Sequence, residues 1–191
     1  MLRATAILLI LIVGSCASSS QNPPSRLDNA CVMKSERPSW FRAMGKAEAK
    51  WGVPVPVQMA TIWRESRFQP HAKTPRKYFL GIIPNGRISS AYGYAQAVDG
   101  TWDWYREDTG RRFASRSDFF DATDFIGWYM TKTRAQNGIP LGDSYNQYLA
   151  YHEGHAGYAR GSYRAKSFLL RAASEVKSKT ATYARQLATC S

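Results

Sequence analysis

The sequence predicts a mainly α-helical domain with one small loop or β-hairpin excursion. Three observations lead there. Apolar residues recur at i, i+3 and i+4 along most of the chain, as in Met59, Ile62 and Trp63. Glycines placed to stop helices follow such stretches at Gly52, Gly138 and Gly154. Only between residues 74 and 90 is the pattern broken, by Pro75, Pro84 and the turn pair Asn85-Gly86. The chain has 191 residues, 44% of them apolar, which suits one compact domain with a core plus a tail. No unit of about 20 to 50 residues repeats, so a solenoid is excluded.

The elements follow in order. "SWFRAMGKAEAKWG", residues 39–52, starts behind Pro38 with Ser39 as the expected N-cap and stops at Gly52. "PVQMATIWRES", residues 56–66, begins on a proline, which suits a first helical position. At about 100° per residue Glu65 lies at the edge of its apolar face, near the helix end, bordering the core and facing a groove. Pro70 prevents a long continuation. "TPRKYFLGIIPNGRIS" reads as a loop or small hairpin. "VDGTWDWYRED" is a short helix with Asp99 as its cap. "SDFFDATDFIGWYMTKTRAQNG" is a long one, capped by Ser117 or Asp118 and closed by Gly138. "GDSYNQYLAYHEG" ends at Gly154, and residues 164–187 form a last amphipathic helix.

Residues 1–15 stand apart. Arg3 precedes "AILLILIV", an apolar run too short to span a bilayer, and the combination is that of an export signal. It ends in "VGSC", which resembles a bacterial lipobox with Cys16 as the lipid-modified residue. Ordinary cleavage after Ala17 is the other reading. Ala17 is not the aspartate that resembles an inner-membrane retention signal. The expectation is therefore a periplasmic protein anchored to the outer membrane by lipid. Residues 16–27, "CASSSQNPPSRL", read as a flexible tether, and residues 28–191 as the folded domain. With Cys16 lipidated or removed, Cys31 and Cys190 remain at the two ends of the domain. Either they form a disulfide that ties the termini together, which an oxidising compartment permits, or they are two buried thiols.

Formal net charge is +12, and removing residues 1–15 takes away only Arg3. Nucleic acid is the usual partner of so basic a chain, and an export signal argues against it. Anionic envelope polymers and lipid headgroups fit better; a solvated basic surface is the plainer alternative.

Three short stretches carry candidate chemistry: Glu65-Ser66 at a helix end, "YGYAQAVDGTW" with Gly93, Tyr94 and Gln96, and "YLAYHEGHAGY" with Ala150, Tyr151 and Gly154. Each is weak alone. In this order, on these elements, they resemble the soluble lytic transglycosylases of the lysozyme-like superfamily. That family has Glu-Ser at the end of a helix, matched by "WGVPVPVQMATIWRESRFQP". It then has Gly-Leu-Met-Gln, matched by "GYAQ" at 93–96, and Ala-Tyr-Asn-Ala-Gly, matched by "AYHEG" at 150–154. The likeness spans about residues 51–158. The chain departs from it in a longer segment between Glu65 and Gly93, in Tyr94-Ala95, and in His152-Glu153. The resemblance implies a lysozyme-like (goose-type or lytic transglycosylase) helical domain, a monomer acting on peptidoglycan strands without cofactor. In that family one glutamate protonates the bond between N-acetylmuramic acid and N-acetylglucosamine. It then deprotonates the muramic acid's 6-hydroxyl, giving a 1,6-anhydro sugar.

Glu65 is the candidate for both roles. An acid of this kind works only if burial raises its pKa, and Trp63, Phe68 and Tyr94 are candidates for the apolar wall. Arg64 and Arg67 would oppose that effect from inside the groove, so they are expected to face away. Ser66 is expected to cap or orient Glu65. Gly93, Tyr94 and Gln96 shape the sugar-binding wall, and Tyr151, His152 and Glu153 contact substrate. Tyr94, Tyr151 and Trp102 are also ordinary core candidates. If Glu153 faces the groove it supplies a second carboxylate, and the enzyme would then be a hydrolase. A third class, a binding lipoprotein without turnover, has no need of an acid at position 65. "HEGH" at 152–155 is not His-Glu-x-x-His and crosses a helix-ending glycine, so no metal site is expected.

Overall fold

A computed structural model describes residues 22–79 and 83–190. The expected export signal and Cys16 lie outside the described residues. The chain is mainly helical, with helices α1 (Ala30–Glu36), α2 (Pro38–Trp51) and α3 (Val55–Ser66), then strands β1 (Arg76–Phe79) and β2 (Ile83–Arg87). Helices α4 (Asp99–Thr109), α5 (Phe119–Asn137), α6 (Ser144–Glu153), α7 (His155–Ala159) and α8 (Ser167–Leu187) follow, with a short 3₁₀ turn at Ser162–Ala165.

The centre is α5, apolar on nearly every side: Phe125, Ile126, Trp128 and Met130 are all buried. α2 packs across it. The close approach depends on Gly127, where a Cβ would stand 2.5 Å from the Trp51 ring. Trp51 in turn donates its indole N–H to Asp124, which also accepts from Lys50 and from the Tyr105 hydroxyl. A carboxylate with so many donors can be buried without protonation. On the other flank α8 packs against α3 and α6. It does so through Leu169, Ala172, Ala173, Val176 and Tyr183, a stripe at helical spacing.

Caps account for several helix ends. Asp118 accepts from the Asp121 N–H, and Asp143 from Asn146. Gly52, Gly110 and Gly138 close α2, α4 and α5 in the left-handed conformation. Ser39 is not a cap: α2 begins on Pro38, with Arg37 ahead of it. Asp99 is not a cap either but the first residue of α4, where its charge suits the helix dipole. α1 and α7 were not legible in the sequence, each being too short for a periodic pattern.

The ends of the domain are clamped together. Cys31 and Cys190 form a disulfide across 159 residues. Beside it Gln186 accepts from the Ala30 N–H and donates to the Asp28 carbonyl, and the Tyr183 hydroxyl donates to the Leu27 carbonyl. The expected tether is already engaged from residue 22. Pro24 is buried, the Ser25 N–H donates to Glu36, and the Asn22 carbonyl accepts from Arg37.

Candidate active site

Glu65 sits in the last turn of α3 and stops there because the chain reverses at once. Arg67 and Phe68 both adopt left-handed backbone angles, φ 52° and 60°. Such residues cost on the order of 1–3 kcal/mol each and persist only where the surroundings hold them. Here the anchor is Phe68, fully buried and stacked in the core on Trp40 at 5.8 Å. The reversal leaves the Glu65 carboxyl at the wall of a cleft of about 450 Å³.

The opposite and lateral walls come from three places. α5 supplies Phe125 and Tyr129, and α6 supplies Tyr151 and His152, with Gly154 just beyond. The foot of the hairpin supplies Thr74 and Ser89, and the segment before α4 supplies Gln96 and Ala97. Among the described residues that line this cleft, Glu65 is the one carboxylate. Burial pushes its pKa up to about 7, against a hydrogen bond from Tyr148 and the charge of Arg64, which pull it down. The desolvation effect wins because the surrounding wall is aromatic. Tyr129 and Tyr151 feel the same surroundings: burial raises both phenols, Tyr129 to about 12.

The arginines flanking Glu65 both find other partners, although the charge of Arg64 still reaches the carboxyl. Arg67 lies over the Trp63 ring at 3.9 Å and Arg64 reaches Glu175 on α8 at 3.7 Å. The wall itself differs from expectation. Tyr94 and Phe68 belong to the core, where Tyr94 meets Trp40 and Phe119 edge-on, and Trp63 packs under Arg67 and Lys179. Ring size and spacing alone could not say which aromatics turn inward to the core and which to the groove. Trp102 is likewise core.

The remaining candidates divide in the same way. Ser66 is buried and donates to the Ile62 carbonyl, so it finishes its own helix rather than touching the Glu65 carboxyl. Gly93 is buried behind the cleft. Its φ is +79°, and a Cβ there would stand 2.0 Å from the Arg116 carbonyl oxygen. Gln96, at φ 49°, lines the cleft while its amide donates to the Ala72 and Gly93 carbonyls, 2.9 Å each. It therefore locks the hairpin foot to the "GYAQ" turn. Tyr151 lines the cleft and donates to the Ala95 carbonyl at 2.6 Å, tying α6 to that same turn.

His152 lines the cleft, with Nδ1 at 3.2 Å from Glu153. Glu153 itself does not line it. Its side chain is 4% exposed and is held by Lys166 Nζ at 2.8 and 2.9 Å and by the Ser162 hydroxyl. Those donors drive its pKa down to about 2 against the cost of burial. Glu153, expected to contact substrate and to be a second carboxylate only if it faced the groove, is thus placed behind the wall, where a cation from the start of α8 draws it. The histidines of "HEGH" part company too. His155 stacks on Tyr129 at 4.5 Å and meets the Thr133 hydroxyl at 3.0 Å.

Sequence reasoning missed Tyr148, the donor to Glu65, and the wall residues Phe125 and Tyr129. A signal for Tyr148 existed: it stands three residues before Tyr151 on one helix, hence on the same face. For Phe125 and Tyr129 there was none, since the middle of α5 is buried on nearly every side.

No curated protein matches the chain. The family model of the Transglycosylase SLT domain matches residues 4–190. With almost its whole length matched, the chain belongs to the transglycosylase SLT domain family.

Proposed function

We propose that the protein is a peptidoglycan lytic transglycosylase in which Glu65 is both acid and base. The observation that carries this reading is a single carboxylate in an aromatic-walled cleft, with its pKa raised by burial to about 7. At neutral pH such a group is protonated in a large fraction of molecules, as an acid catalyst requires. Glu65 donates its proton to the oxygen linking N-acetylmuramic acid to N-acetylglucosamine, and the C1–O bond breaks. The resulting carboxylate takes the proton from the muramic acid's 6-hydroxyl as that oxygen bonds to C1. The product is a 1,6-anhydro sugar, no water is consumed, and Glu65 ends protonated. Hydrolysis with two catalytic carboxylates would need the second to flank the scissile bond, and Glu153 is engaged with Lys166 instead.

Tyr148 lies beside the Glu65 carboxyl, while Gln96 and Tyr151 fix the wall next to it. His152 offers a polar edge to the sugars. Our reading of residues 1–16 remains an export signal with lipid attachment at Cys16, which would set this domain in the periplasm on an outer-membrane anchor, acting as a monomer.

The test is mass spectrometry of sugars released from purified peptidoglycan by residues 17–191. Anhydromuramyl products, lighter by one water than reducing-end products, are expected, and none from Glu65→Gln. Reducing ends would overturn the mechanism, and undiminished activity in Glu65→Gln would overturn the assignment of the acid.

A further inference from the structure

Between Glu65 and Asp99 the chain carries no acidic residue and five basic ones: Arg67, Lys73, Arg76, Lys77 and Arg87. This segment folds into the hairpin. In the antiparallel register Arg76 stands directly opposite Arg87. Residues so paired share a face with their Cβ atoms about 5 Å apart, and like charges there destabilise a hairpin. Among the described residues no ion pair involves Lys73, Arg76 or Arg87, whereas Arg64, Arg111 and Arg116 each have a carboxylate partner.

The pair is tied to the cleft wall through Arg87. Arg87 donates to the carbonyl of Thr74, and Thr74 donates its hydroxyl to the Ser89 carbonyl at 2.9 Å. Thr74 and Ser89 both line the cleft with Glu65. One guanidinium N–H is used in fixing Arg87 at the cleft rim, and the others are left for a ligand. Two arginines on paired backbone positions suit carboxylates, which guanidinium groups bind through paired N–H donors.

Resting on the transglycosylase reading of the cleft, we propose that the hairpin is a cationic arm that holds the carboxylates of the peptide stems borne by muramic acid. It would make the protein prefer peptide-bearing strands over bare glycan. The stem hangs from the very sugar whose bond is cut, so its carboxylates travel with the substrate to the rim of the cleft.

Binding is measured with Glu65→Gln protein, so that a failure of catalysis and a failure of the arm are read separately. The ligands are soluble glycan strands with their stems, and the same strands after an amidase has removed them. Tighter binding of stem-bearing strands is expected, by about three- to tenfold as suits two exposed charge contacts, with the difference shrinking as salt is raised. Adding Arg76→Gln and Arg87→Gln should abolish the difference without weakening binding to bare strands. Arg76→Lys with Arg87→Lys should keep most of it. Equal binding of the two kinds of strand by the parent overturns the proposal. So does a preference that survives the glutamine pair, or one lost equally with lysines in a folded protein. A phosphate-rich wall polymer that competes while stems make no difference overturns it in favour of another anion.

Discussion

Tyr148 on α6 lies beside Glu65 on α3, close enough for its hydroxyl to act on the carboxyl. It favours the ionised form and so restrains the rise that burial causes. Tyr148→Phe removes that restraint. The alkaline limb of kcat/KM, expected near pH 7 in the parent where Glu65 loses its proton, should move to higher pH. The maximal rate should fall by up to about tenfold, the order of one polar contact to a buried carboxyl. A pH–rate profile unchanged by Tyr148→Phe would mean that another group sets the limb.

The same burial has a cost in stability. Glu65 has a folded pKa of about 7 against an ordinary 4.5, so between those values the folded state binds more protons than the unfolded one. Stability from this group therefore falls as pH rises from 4.5 to 7, by about 3 kcal/mol, and stays low above that. Glu65→Gln has no such loss. Urea denaturation should show the variant gaining on the parent by about that amount between roughly pH 4 and pH 8. A difference independent of pH would contradict the raised pKa.

Glu153 shows the opposite sign. Its pKa of about 2 means that its contribution is fully present above 4.5 and is lost as pH falls from 4.5 towards 2. Lys166→Met leaves the carboxylate buried without its cation and should cost roughly 3 kcal/mol at about pH 7, less at about pH 3. Glu153→Gln should leave the anhydro product unchanged. A switch to reducing-end sugars, or loss of all turnover in folded Glu153→Gln, would return Glu153 to the chemistry.

Gly93 has no room for a side chain. With φ at +79° and the Arg116 carbonyl oxygen 2.0 Å from where a Cβ would stand, Gly93→Ala must push apart the "GYAQ" turn and the segment before α5. A loss of more than about 3 kcal/mol in thermal or urea unfolding is expected. A Tm matching that of the parent would show that the turn can relax.

The Cys31–Cys190 disulfide closes almost the whole domain. In the chain-entropy model its removal costs about 5 kcal/mol. The Cys31→Ser, Cys190→Ser pair should unfold at markedly lower urea, although the hydrogen bonds of Gln186 and Tyr183 still hold the ends. Unfolding midpoints that coincide would show that those bonds suffice.

Periodicity and stop signals determined the helices of residues 38–66, 99–109 and 119–153, because each depends on neighbours within a few turns. They also put Glu65 at a helix end on the border of the core, and two prolines with Asn85-Gly86 marked the hairpin. Residue order along the chain was enough to bring the three site motifs into question. It could not say which side chains would meet. Tyr94 went to the core alone, while Phe125, equally buried, also borders the cleft, because packing around α5 chooses among aromatics by position in space, and the chain's periodicity carries no such coordinate. Glu153 left the cleft for Lys166, an ion pair across thirteen residues. The pKa of Glu65 was decided last of all, since the desolvation that raises it comes from walls that α5, α6 and the hairpin foot supply only once they are folded together.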